Sequence, residues 1–170
     1  MPAFTIKTER DQLTIDKLTE RFGADGFTHE RLYDTMCFVV PKEHIHDVLR
    51  FLRDELDFTF LTSLCGMHFP GLPLELGAVY FLHNMRLGHR IRVKTHVSLK
   101  EAKLPTVTDL WPTANWMERE TWDFFGIDFV GHPNMKRILN MEDFPAFPMR
   151  KDYPLEDPTR EDKNDTFFGR

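Results

Sequence analysis

Cysteine is nearly absent: the 170 residues include two, Cys37 and Cys65. Two thiols cannot hold an iron–sulfur cluster on the usual four-cysteine plan. Both lie in apolar surroundings, Met-Cys-Phe-Val-Val and Leu-Cys-Gly-Met, which points to buried free thiols rather than to a disulfide or a reactive group. Long apolar runs are missing too. The longest, Leu76 to Leu82 broken only by Gly77, falls far short of the roughly 17 to 25 residues of a membrane-spanning helix. There is no excess of basic charge: 22 basic against 27 acidic residues give a formal charge of −5, which argues against nucleic acid as a partner. The N-terminal stretch carries Lys7, Glu9, Arg10 and Asp11 where a signal peptide needs an apolar core, so the expected compartment is the cytosol. No glycine-rich dinucleotide loop, phosphate-binding loop, nucleophile elbow or useful heptad run occurs, so unaided catalysis finds no support.

What is present is apolar and aromatic. A hydrophobic content of 41% with sixteen phenylalanines is enough to offset the ordering entropy of one domain. Leu13, Ile15, Leu18 and Phe22 predict a helix from Asp11 to about Phe22, with Gly23 as its C-cap. Thr35 to Val40 reads as a strand stopped by Pro41, and Gly26 to Tyr33 as its hairpin partner. Pro41 fits the first turn of a second helix, whose stripe is Ile45, Val48, Leu49 and Leu52. Phe58 to Phe69, Leu76 to His83 and Gly88 to Leu99 have strand composition, and in the last of these Ile91, Val93, Thr95 and Val97 alternate with Arg92, Lys94 and His96. This order predicts a two-layer α+β domain: a mixed sheet of about five strands, helices on one face, and then an extended tail. The division is a body over residues 1–140 and a partner-binding tail over 141–170.

In the tail, Pro145, Pro148, Pro154 and Pro158 exclude a helix or a central strand. If fully extended, 144–170 would reach roughly 80 Å, against a body about 35 to 40 Å across. Phe144, Phe147 and Tyr153 interleave with Arg150 and Lys151, and Phe167 and Phe168 follow near the end; these residue types anchor interfaces. The competing reading is a tail folded back on its own sheet. Ahead of it, a third helix of about Thr113 to Phe125 ends at Gly126. Glu118 and Glu120 point about 200° apart on it, so they cannot form a catalytic pair. Glu118 falls inside the apolar arc of Ala114, Met117, Thr121, Trp122, Phe124 and Phe125, and should meet a cation such as Lys136, Arg137 or a partner's arginine. Arg119 and Asp123, on the opposite arc, are spaced for an ordinary surface pair.

Eight histidines raise the question of a metal. His44 and His46 diverge on a helix, and His83, His89 and His96 lack a ligand set at recognised spacing, so structural roles are expected. His132, before Pro133, could orient the chain or donate to a partner. A free-standing metal-dependent enzyme is the competing reading from a different class.

The segment Glu118-Arg119-Glu120, Asp123-Phe124-Phe125, His132, Lys136, Arg137 and Ile138-Leu139 resembles the signature of the 30 kDa subunit, designated C, of respiratory complex I. The likeness extends through Trp111-Pro112, Ala114-Asn115-Trp116, Gly131-His132-Pro133 and Arg150-Lys151-Asp152-Tyr153-Pro154, and more loosely back to Phe58. One departure is Ala146-Phe147-Pro148, where family members commonly carry Gly-His-Pro; Phe147 should therefore sit in an apolar pocket of a partner or of the body. The resemblance implies a non-catalytic, cofactor-free subunit of the peripheral arm of a proton-translocating NADH:quinone oxidoreductase, on the cytoplasmic side of the inner membrane. It implies docking on the quinone-site subunit, designated D, near the iron–sulfur subunits B and I, with FMN and clusters carried by other subunits. An equivalent subunit of a membrane-bound hydrogenase or another redox-driven pump is the alternative within the family. The implied partner contacts are Glu118, Arg119, Glu120, His132, Lys136 and Arg137 on the helix side, with Phe147, Arg150, Lys151, Asp152 and Tyr153 on the tail. On that expectation, alanine at Glu118 or Arg150 loosens assembly more than it unfolds the chain.

Overall fold

The computed structural model describes the backbone of residues 3–154 and the side chains of residues 8–154. Helix α1 runs Ala3–Phe22 and starts well before Asp11. Strands β1 (Thr28–Leu32) and β2 (Thr35–Val39) form the expected antiparallel hairpin, and the amphipathic α2 (Ile45–Asp54) follows. Three long strands come next: β3 (Phe60–His68), β4 (Leu76–Asn84) and β5 (His89–Val97). The sheet order is β1-β2-β5-β4-β3; β2 pairs parallel with β5 and every other pair is antiparallel, so the sheet is mixed and β5 is its central strand.

Side-chain alternation settles which face is the core. Met36, Phe38, Ile91, Val93, Val97, Leu76, Ala78, Tyr80, Leu82 and Leu64 share one face and are all buried. The α2 stripe of Ile45, Val48, Leu49 and Leu52 closes over this face with no exposed surface. Helix α1 joins it through a buried carboxylate: Asp11 bonds His89 Nε2 on β5 at 2.6 Å and is also paired with Arg31 on β1. The helices of the described residues lie on this side, and none of them covers the other face of the sheet.

After β5, two three-residue strands, β6 (Lys103–Pro105) and β7 (Asp128–Val130), pair in parallel and bracket α3 (Ala114–Phe125). Three residues give no periodicity to read, so the sequence alone reads as loop where β6 forms. Trp111 is buried just before α3, and its indole N–H donates to the Thr59 carbonyl at 3.1 Å. Helix α3 packs on β3, and the Phe125 ring occupies the space a side chain on Gly66 would need. Gly66→Ala must displace that ring, and the overpacking is expected to cost about 1–3 kcal/mol, read as a lower thermal midpoint with the secondary structure unchanged.

Candidate functional site

The chemistry-bearing residues gather around α3, between its two flanking loops and the segment that returns over it. Glu118 is fully buried, as its place on the helix predicts. Among the described residues no cation meets it. Its Oε2 accepts from the Thr106 hydroxyl at 2.6 Å and its Oε1 from the Val107 N–H at 2.7 Å. Neither Lys136 nor Arg137 pairs with it as expected, since a carboxyl can also be satisfied by neutral donors. Burial pushes the Glu118 carboxyl up to about 7, against the opposing hydrogen bonds from Thr106 and Val107. Enclosed in this way, Glu118 latches the β6–α3 loop and has no surface to offer a partner.

Asp123 reverses the other expectation. It makes no pair with Arg119; it is fully buried and is the hub of the site. One oxygen accepts from Arg137 at 2.6 Å and from the Asn140 side chain at 3.0 Å. The other accepts from the backbone N–H groups of Ile138, Leu139 and Asn140 at 2.9–3.1 Å. Burial alone would raise its pKa, but the bonds from Asn140, Leu139 and Arg137 win and hold it well below the usual carboxylate range. Arg137 is itself enclosed, donating also to the carbonyls of Asp123, Phe144 and Ala146 and lying against the rings of Trp122, Phe144 and Phe147. Arg119 turns the same way, to the carbonyls of Lys136 and Arg137.

These bonds close residues 137–151 over α3 as a strap. Met149 N–H donates to the Phe124 carbonyl, and Arg150 Nε to that of Phe125 at 2.6 Å. Lys151 N–H donates to Nδ1 of the buried His68, which leaves Nε2 to carry the ring proton toward Glu75. Residues 141–154 thus lie, without helix or strand, along their own body; the chain folds back as the competing reading has it, but over α3, with a bond to the sheet at His68. The rest of the tail, with Phe167 and Phe168, lies outside the described residues. Phe147 sits on the body, 4.4 Å from the Arg150 guanidinium and 5.5 Å from that of Arg137, and the cations on its ring account for an aromatic there. Gly126 ends α3 at φ 72° with its N–H on the Trp122 carbonyl; a side chain there would strike the Phe147 ring and Arg150. His132 uses both ring nitrogens within the chain, accepting from Asn134 N–H and donating to the Asn115 carbonyl.

The predicted contact residues therefore fall into two groups. Glu118, Arg119, His132, Arg137, Phe147 and Arg150 are spent on the chain's own α3 and strap. Glu120, Lys136, Lys151, Asp152 and Tyr153 are exposed. Sequence reasoning missed Asp123 as the hub, Asn140 as its partner and Thr106 as the partner of Glu118. It also placed Cys65 in the interior, whereas Cys65 is exposed on edge strand β3 and only Cys37 is buried. Among the described residues, no group of three His, Cys, Asp or Glu side chains is arranged to hold a metal ion, and no helix is long and apolar enough to cross a membrane.

Fold and site together define a two-layer α+β protein whose densest polar cluster braces its own strap. The family described as "Respiratory-chain NADH dehydrogenase, 30 Kd subunit" matches residues 38–159. Among similar curated proteins, the NADH-quinone oxidoreductase subunit designated C 2, of Rhizobium meliloti (strain 1021), is 42% identical, over 81% of this chain and 78% of its own. The corresponding NADH-quinone oxidoreductase subunit of Citrifermentans bemidjiense, designated C, is 40% identical, over 85% of this chain and 90% of its own. Among solved structures, the trypsin-resistant fragment of Nqo5 superposes with TM-score 0.64 at 30% identity, covering 71% of this chain and 98% of that one. A chain of the membrane-bound sulfane sulfur reductase, an archaeal respiratory membrane complex, superposes with TM-score 0.72 at 30% identity, covering 85% of each. The chain belongs to the 30 kDa subunit family of the respiratory-chain NADH dehydrogenase, complex I.

Proposed function

We propose that the chain is a structural subunit of the peripheral arm of a proton-translocating NADH:quinone oxidoreductase, without activity or cofactor of its own. In this reading it lies on the cytoplasmic side of the membrane and docks on the quinone-site subunit beside the iron–sulfur subunits B and I. The observation that carries it is the outer surface of the α3–strap unit. Glu118, Asp123, Arg119 and Arg137 are turned inward, and outside it leaves Trp116, Leu139, Met141 and Met149 between 54% and 71% exposed. Large apolar side chains on a rigid, internally satisfied support fit an interface core, with Glu120, Lys136, Lys151 and Asp152 as its polar rim. Tagged chain recovered from native membranes after gentle detergent extraction is expected to bring the quinone-site subunit and an integral membrane arm with it. Recovery of the chain alone would contradict the assignment.

The likeness to the sulfane sulfur reductase chain supports a second reading, an equivalent subunit in a respiratory pump fed by a donor other than NADH. The recovered complex decides between them. NADH oxidation coupled to quinone reduction supports the first, and a complex that lacks it while turning over another donor supports the second.

A further inference from the structure

The sheet face opposite the helices carries an unusual column. On central strand β5 the residues that alternate with the core are Arg90, Arg92, Lys94 and His96, all on that open face. Arg90 faces His83 on β4, and the other neighbours across the ladder are apolar or small: Cys37 and Val39 on β2, Phe81, Val79 and Gly77 on β4, then Cys65 and Met67 on β3. Cys37 has no exposed surface and Val79 is 5% exposed, although no helix of the described residues covers them. Lys94, Arg92 and Glu30 lie around Cys37, and Lys94 is close enough to hydrogen-bond it.

Among the described residues, Arg90, Arg92 and Lys94 have no carboxylate within ion-pair distance. Arg92 gives one bond to the Leu32 carbonyl, and its Nε is enclosed with no partner. His96 is held below the usual imidazole range, first by burial and then by Lys94, so at neutral pH it adds no charge. The acid on that face is Glu30, on β1, two strands away from β5. Alternate residues on a strand stand roughly 6.6 Å apart, so the three cations span about 13 Å in the middle of the face. Three aligned, unpaired cations in a chain of net charge −5 are a local reversal of sign, and like charges in one column cost stability unless something answers them.

We propose that this open face docks an acidic segment of a neighbouring subunit, whose carboxylates meet Arg90, Arg92 and Lys94 while its apolar side chains pack on Val79 and Phe81. The proposal rests on the subunit reading above but uses a surface on the opposite side of the sheet from α3 and the strap. A nucleic acid fits poorly, because the chain as a whole repels a polyanion and the column is flanked by apolar groups. A protein segment meets both features.

The test uses the assembled complex. Complex extracted from native membranes is treated with a zero-length carbodiimide, which joins an amine only to a carboxylate touching it, and Lys94-containing peptides are identified by mass spectrometry. Lys94 joined to an Asp or Glu of another subunit is the expected result. Lys94 joined only within its own chain, or left unjoined, would overturn the proposal. In parallel, a chain with Arg90→Gln, Arg92→Gln and Lys94→Gln keeps the stems that cover the sheet. In isolation it should melt no lower than the natural chain, yet leave the complex at lower sodium chloride concentration; release at the same salt would count against the docking face. Vesicles containing phosphatidylglycerol that bind the isolated natural chain but not the triple variant would assign the face to a lipid surface instead. A chain that never copurifies overturns the assembly reading as well, whereas one that copurifies without the Lys94 link overturns this proposal alone.

Discussion

Asp123→Ala is expected to free the strap from α3 and to cost about 3–5 kcal/mol, the range for removing one partner of a buried ion pair. The carboxylate accepts from Arg137, from the Asn140 side chain and from three successive backbone N–H groups. Alanine leaves the guanidinium of Arg137, which is 9% exposed, without its anion, and the three amides without an acceptor. Thermal unfolding of the isolated chain reads the loss, and trypsin reads its location: cleavage at Lys136, Arg137, Arg150 or Lys151 should become fast while the body resists. Asp123→Asn keeps one acceptor oxygen and should fall between. Because the folded pKa of Asp123 lies below its unfolded value, its contribution is complete above about pH 4 and is lost as pH falls below it. A variant that melts like the natural chain at pH 7 would refute the hub.

The second large effect is a pH dependence of opposite sign. Below about pH 4.5 Glu118 is protonated in both states and contributes no slope. Between there and about pH 7 the unfolded chain releases the proton while the folded chain keeps it, so stability falls as pH rises. The total is about 3 kcal/mol, and the curve flattens above pH 7. Glu118→Gln removes the proton without removing the contacts: the amide oxygen can accept from Val107 and the amide N–H can donate to Thr106, whose hydroxyl can turn to Thr108 at 2.9 Å. Compared across pH 4 to 9 by chemical denaturation, the difference between the two chains should open steadily between pH 4.5 and 7, in favour of Gln. A constant difference would mean that Glu118 does not titrate in that range. For Glu118 and Arg150 the structure turns the sequence-based expectation around: alanine at either should first damage the fold, and assembly through it.

Elements whose signal resides in side chains were legible in the sequence. The α2 stripe, the alternation along β5, the Gly126 stop and the buried place of Glu118 follow from period and spacing, and the structure holds each of them. What was not legible depends on backbone groups and on the return of the chain. Asp123 lies on the polar arc of α3, and nothing on the wheel says that three amides of the next segment will close over it. Arg119 and Arg137 read as charges, yet most of their donors go to carbonyls, which have no sequence signature. For residues 141–154 proline spacing correctly excluded helix and central strand, but extended backbone lies as readily along its own body as along a partner. Cys65 shows the same limit for a strand, since apolar neighbours in sequence do not decide which face of an edge strand a side chain takes.

The central claim is that the signature segment first binds its own chain and only then, by its outer surface, another subunit. Amide hydrogen exchange on the isolated natural chain at pH 7 tests it most directly. The N–H groups of Ile138, Leu139 and Asn140, with those of Met149 and Lys151, should exchange at least about a hundredfold more slowly than in an unstructured peptide, slowed as bonded amides are. Exchange at peptide rates in the free chain, with protection gained only inside the complex, would contradict it.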